Sequence, residues 1–156
     1  MISEMPYVHI GIVVKNLQEA VARFTLLGLS FMEPRTVHVD RLVENAKEDE
    51  LDLHISFSHQ GPPHWELLEA TGHGIYGPQH IGGLHHVAVL HPDPAQRSKE
   101  LVAAGLRTSA MQLRDDDSMI AIYIEREELH GVRIELIDEK VQDTILSWIA
   151  GKDATA

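Results

Sequence analysis

Apolar and polar positions follow one order along the first part of the chain and then repeat that order. From Val8 to Val14 an apolar run, interrupted by His9, has the length and β-branched content of a buried strand. Asn16 then supplies a helix N-cap. Ala20, Val21, Phe24 and Leu27 recur at helical spacing ahead of Gly28, where a C-cap glycine belongs. A second strand-like run spans His86 to Leu90, followed by Asp93 with Pro94 as cap and first helical residue, and by Gly105 as the closing glycine. Laid over one another without a gap, "VHIGIVVKNLQEAVARFTLLGLSF" and "HHVAVLHPDPAQRSKELVAAGLRT" pair His9 with His86, Gly28 with Gly105 and Leu29 with Leu106, each 77 positions apart.

A second echo closes each half. "HWELLEA" (64–70) matches "RIELIDE" (133–139), pairing Glu66 with Glu135 and Leu67 with Leu136 at an offset of 69. Between the echoes, "LDLHISFS" (51–58) and "SMIAIYIE" (118–125) are β-rich and partly alternating, and "RTVHVDRLVE" and "RTSAMQLR" are weaker strand candidates. "AKEDE" (46–50) and "RDDD" (114–117) read as charged turns. Each half is predicted to be a strand, a helix, then about three strands. The whole is an α+β chain with one domain over 1–156: a first βαβββ module at 6–70, a Gly-rich linker at 71–83, a second module at 84–139 and a helical tail at 140–156. In that tail Ile145, Leu146, Trp148 and Ile149 form a helical stripe expected to cap the core or to meet a second subunit.

Composition narrows the function. A formal net charge of −11 argues against nucleic acid and anionic membrane surfaces as partners. With no cysteine there can be no disulfide, thiolate metal site or cysteine nucleophile. The N-terminal stretch "MISEMPYVHIGIVV" lacks the basic n-region of a secretory signal, and no apolar run nears the roughly 20 residues of a spanning helix. A cytoplasmic protein acting on a small molecule is expected.

The ionisable residues that repeat in register are His9 with His86 and Glu66 with Glu135, each inside an apolar strand. An imidazole or carboxylate there is costly to desolvate unless it is paired or bound to metal. Two of each, related by a pseudo-twofold, make a suitable nitrogen and oxygen set for a divalent first-row ion. Adjacent side chains on a strand point to opposite faces, so His85 and His86 cannot share a pocket. The repeat matches His85 with Val8, a plain core residue, and so selects His86, facing a cleft with Ala88 and Leu90. On this reading His86→Ala abolishes metal binding and His85→Ala spares it.

In "VHIGIVV", "WELLEA", "GGLHHVAVL" and "VRIELID", in this order and spacing from about Tyr7 to Asp138, the chain resembles the vicinal oxygen chelate superfamily, closest to its glyoxalase I and methylmalonyl-CoA epimerase branch. The resemblance implies a curved, mainly antiparallel eight-stranded sheet with a metal cleft on its concave face. It implies His9, Glu66, His86 and Glu135 as ligands of a divalent ion (Zn, Ni, Co, Mn or Fe), and a homodimer. It also implies an isomerase, epimerase or lyase that removes a proton next to a metal-bound carbonyl or carboxylate. Glu135 is then the base and Glu66 its partner. The second base of such epimerases falls on His54, where the family carries a glutamate. The strong acidity disfavours a CoA thioester or glutathione adduct, although Arg35, Arg41, Arg107 and Arg114 offer some cationic contacts. Two other activities share such a scaffold. One is an Fe(II) extradiol-type dioxygenase, which needs two His and one carboxylate with open positions; the other is a non-catalytic protein that sequesters an antibiotic or another small molecule.

Overall fold

Each repeated sequence unit becomes strand, helix and three strands. In the first, β1 (Tyr7–Val14), α1 (Leu17–Thr25), β2 (Arg35–Glu44), β3 (Lys47–Phe57) and β4 (His64–Glu69) follow one another. In the second, β5 (His86–His91), α2 (Pro94–Ala103), β6 (Thr108–Leu113), β7 (Met119–Ile124) and β8 (Ile134–Asp138) do so, and α3 (Gln142–Ile149) ends the chain. The computed structural model describes residues 6–152. The start of the stretch read for a secretory signal and the last residues of the tail lie outside them.

The strands close into a barrel in the order β1-β4-β3-β2-β6-β7-β8-β5. Within each unit the first and last strands pair in parallel, β1 with β4 and β5 with β8, and all other pairings are antiparallel. The units meet at two seams, β1 with β5 and β2 with β6. Closure leaves no free sheet edge among these strands.

Local chemistry sets the element ends. Asn16 accepts the Glu19 amide at 2.8 Å and Asp93 the Gln96 amide at 2.9 Å, capping the two longer outer helices. The Leu17 amide donates to Glu69 at 2.9 Å, tying the start of α1 to the end of β4. Gly28 and Gly105 take φ values of 88° and 97°, the left-handed conformation that lets the chain leave each helix. Leu27 departs from expectation: α1 ends at Thr25, so this leucine lies beyond the helix and stays exposed. The charged segment 46–50 also differs from the predicted turn. Asn45 and Ala46, with φ of 52° and 59°, make a two-residue hairpin on their own, and β3 begins at Lys47.

Leu53, Ile55 and Phe57 alternate into the barrel and join Leu42, Leu68 and Tyr123 in the main core. Ile145 and Ile149 of α3 belong to the same core and Trp148 packs against it, so the tail helix caps this chain's own barrel. The linker is ordered too: Ile75 and Tyr76 are buried, and Ile81 bridges to Val13.

Candidate metal centre

Four adjacent strands, β4, β1, β5 and β8, carry the site in two rows across the barrel wall. In one row Glu66, Gly11 and His86 lie opposite one another; in the other His9, Ala88 and Glu135 do. A glycine or alanine sits between each imidazole and carboxylate, so both functional side chains lean over a small residue toward the barrel interior. The seam between the two units therefore runs through the middle of the site.

The four side chains converge. His9 Nε2 and His86 Nε2 are 3.0 Å apart. Glu66 Oε2 is 3.2 Å from His9 Nε2 and 3.3 Å from His86 Nε2, and Glu135 Oε2 makes the same two distances. All four residues are buried. Without a counter-ion, desolvating each charge would cost several kcal/mol. The electrostatics reflect that demand for positive charge. Burial opposes a charge on His9, yet the Glu66 and Glu135 carboxylates overcome it and raise its pKa to about 10. Burial likewise opposes the Glu66 carboxylate, but His9 and His86 hold it well below the ordinary carboxylate range.

The donor set fits a divalent first-row ion. With bonds of about 2.0–2.2 Å, neighbouring ligand atoms around such an ion fall roughly 3 Å apart, which is the spacing found here. Glu135 Oε2 is buried and accepts no hydrogen bond, an orphaned acceptor facing two ring nitrogens. His9, His86 and Glu135 alone bring three ligand atoms within 4.8 Å of one another. Aromatic edges hold the rings: Phe57 packs on His9 and Tyr123 on His86, with centroids 5.3 and 5.6 Å apart.

Two expected placements change. His54 stays outside. It lies between the inward-facing Leu53 and Ile55, so its side chain is on the outer barrel surface, exposed and 2.9 Å from the Thr36 hydroxyl. A His54→Ala protein is expected to keep metal binding and turnover unchanged, and kcat and KM of the variant check this. His85, expected on the far face, is instead buried against the site. It precedes β5, so strand alternation does not govern it, and its Nδ1 lies 2.8 Å from His86 Nδ1.

Four residues escaped the sequence reading: Gly11, Tyr76, Tyr123 and Gln112. Gly11 is indispensable to the packing of His86, and a glycine in mid-strand is the sequence sign of such close approach. Tyr76 and Tyr123 meet at 2.6 Å through their hydroxyls, and Gln112 Nε2 donates to Tyr76 at 2.7 Å. Burial and the Glu135 charge keep both phenols protonated.

The site forms one wall of a cavity of about 230 Å³ inside the barrel. Leu53, Ile55, Leu68 and Ile137 line it, and Ile145 and Trp148 of α3 cover it. Among the described residues no lysine or arginine lines it, whereas Asp40, Glu66 and Glu135 do. Arg41 is held by Glu48 and Asp117, Arg107 by Glu128 and Arg114 by Asp138, while Arg35 stacks over Trp148 at 4.7 Å. No helix of the described residues is long and apolar enough to cross a membrane.

Solved structures share this architecture. A hypothetical protein from Bacillus halodurans superposes with a TM-score of 0.63 at 17% identity, covering 86% of this chain and 94% of that one. Methylmalonyl-CoA epimerase from Mycobacterium tuberculosis gives 0.60 at 17% identity, over 85% and 86% of the two chains. A Streptomyces coelicolor methylmalonyl-CoA epimerase variant in complex with 2-nitronate-propionyl-CoA gives 0.60 at 18% identity, over 86% and 94%. Comparison by sequence with curated proteins finds no match. The Glyoxalase/Bleomycin resistance protein/Dioxygenase superfamily profile matches residues 8–124, from the first barrel strand through the seventh. With that match covering most of the chain and the paired units closing one barrel, this chain belongs to the Glyoxalase/Bleomycin resistance protein/Dioxygenase superfamily.

Proposed function

We propose that this chain is a divalent-metal-dependent isomerase, epimerase or lyase that removes a proton next to a carbonyl or carboxylate of a small, largely uncharged metabolite. The observation that carries the reading is the convergence of two imidazoles 3.0 Å apart with two carboxylates, each 3.2–3.3 Å from both rings, on the wall of an apolar cavity.

His9, Glu66, His86 and Glu135 would hold the ion. A divalent ion bound there supplies electrophilic stabilisation of negative charge on a substrate oxygen. Glu135 is the base: its Oε2 is buried, faces the two imidazoles and lies on the cavity wall, so it can take the proton from a substrate carbon held against that wall. Glu66, its counterpart across the pseudo-twofold, returns a proton in this reading. The apolar lining and the α3 cover exclude water from the exposed carbanion.

The structural neighbours include an epimerase with methylmalonyl-CoA bound. The cavity here suits something smaller. At about 230 Å³ it falls below the roughly 300–1,000 Å³ of drug-sized pockets. Arg41, Arg107 and Arg114, which could serve a CoA phosphate, are already engaged by carboxylates. A small, neutral oxygenated metabolite is therefore the favoured substrate class.

The test is to load the protein with Zn, Ni, Co or Mn and incubate it in D₂O with small 2-oxo compounds, hemithioacetals and 2-methyl thioesters. Solvent exchange of the α-proton, followed by NMR and lost on chelation, is the expected result. Oxygen uptake with ring cleavage would move the assignment to a dioxygenase. Tight binding of a small molecule by a protein that takes up no divalent ion would leave a sequestering protein.

A further inference from the structure

We propose that Trp148 is a specificity-determining residue: its indole is the partition between the barrel cavity and a second hollow outside it, and so limits the length of the neutral ligand that the cavity admits.

Two cavities meet at this side chain. The inner one, about 230 Å³, has His9, Glu66 and Glu135 on its wall. The outer one, about 460 Å³, is formed around Phe31, Met32, Pro34 and Arg35, where the chain enters β2. Among the described residues Trp148 alone lines both. Its two sides are distinct. Ile145, one helical turn earlier, lines only the inner cavity, whereas Arg35, whose guanidinium lies 4.7 Å from the indole centroid, lines only the outer hollow. A rigid aromatic ring with the barrel on one side and a stacked cation on the other is built as a wall.

The helix that carries the ring is fixed at both ends. Ile145 and Ile149, on either side of Trp148, are buried in the main core. Where the chain leaves β8, Asp138 accepts the Lys140 amide at 3.1 Å and an Arg114 Nη2 hydrogen bond at 3.0 Å. The repeated βαβββ unit does not supply this wall, which comes with α3 after the second unit is complete. A ligand whose oxygens lie at the metal centre extends its remaining carbons under α3. Each methylene buried there raises affinity about fourfold, until the chain meets the indole. The next one must dislodge a packed ring and gains nothing. The cavity is therefore suited to short carbonyl compounds whose end remote from the oxygens is apolar.

This deepens the proposed function by describing the ligand's remote end, but the length limit is a binding property and is measured without turnover. Calorimetric titration with straight-chain methyl ketones, from butanone upward, should show affinity rising about fourfold per methylene and then levelling off. Trp148→Leu joins the two cavities and should carry the rise on to longer ketones, so that the first one past the wild-type plateau binds about fourfold better than it does to the wild type. Ile149→Val loosens the same helix without lining either cavity and should leave the plateau in place. A second readout leaves Trp148 intact: the chain has two tryptophans, so Trp65→Phe makes Trp148 the single fluorophore, and its emission should change only with ketones of plateau length or longer. An unmoved plateau in Trp148→Leu, an equal shift in Ile149→Val, an indole silent to every ketone, or no binding by any ketone overturns the proposal. A shifted plateau without metal-dependent α-proton exchange in any ketone would sink the proposed activity and leave the partition standing; exchange with an unmoved plateau would do the reverse.

Discussion

A Gly11→Ala protein is expected to fold and yet to lose divalent-ion binding by more than the 10- to 100-fold of an outer-shell defect. A Cβ on Gly11 would sit 2.0 Å from His86 Cε1, 2.4 Å from Nδ1 and 2.5 Å from Nε2. No real contact is that short, so the ring must move. It has nowhere to go: His9, His85 and Tyr123 pack against it with centroids 5.1, 5.1 and 5.6 Å away, and the residue is fully buried. Displacement breaks the bond to His85 and carries Nε2 away from His9 Nε2 and the two carboxylates. Overpacking of this kind costs about 1–3 kcal/mol in stability, which a 156-residue chain can survive. Cobalt titration measures the binding, and denaturant unfolding separates it from global loss of structure. Gly72→Ala is the control, because a Cβ there meets nothing within 4 Å and the backbone is unstrained. Wild-type cobalt affinity in Gly11→Ala would mean that the His86 ring does not lie over β1.

Glu135→Gln is expected to slow α-proton exchange by about 10²–10⁴-fold, the range a positioned general base contributes. The amide oxygen can still ligate, so ion binding should weaken without vanishing. The amide cannot accept a proton from carbon. Parallel measurement of cobalt affinity and deuterium exchange therefore separates holding the ion from moving the proton. Glu66→Gln completes the comparison: if the two carboxylates serve opposite faces, each variant loses α-proton exchange from a different epimer, while epimerisation slows equally in both directions. Full exchange in Glu135→Gln would remove that residue from the proton transfer.

Much of this centre can be read from the chain because duplication prints each functional residue twice. A buried strand can tolerate one histidine or glutamate for local reasons; recurrence of both at fixed offsets, 77 for the imidazoles and 69 for the carboxylates, selects positions that the three-dimensional seam brings together. What repetition does not print was harder to see. Gly11 has Ala88 as its counterpart, so the need for an empty space under His86 arises in one half only. His85 lies one residue before β5 begins, where the strand rule for side-chain direction does not apply. His54 shows the opposite error: alternation through Leu53, Ile55 and Phe57 already turned it outward, and analogy with an epimerase base pointed the other way. The α3 helix that covers the cavity stands outside the repeat altogether, and its amphipathic stripe fixes that it packs but not on what.

The seam through the site has a bearing on assembly as well as chemistry. Each unit owns one imidazole and one carboxylate, so a unit by itself offers an ion only a two-point chelate. A tight complex exists only when the units are docked in register. On the proposed metal reading, ion binding and docking are one linked equilibrium, and a bound ion would act as a clasp across the duplicated halves. At a free-ion concentration a hundred times the Kd, such a clasp would add about 2.7 kcal/mol to the closed barrel. Chelation would accordingly be felt first as breathing along β1 and β5, registered by amide exchange at strand positions far from any substrate.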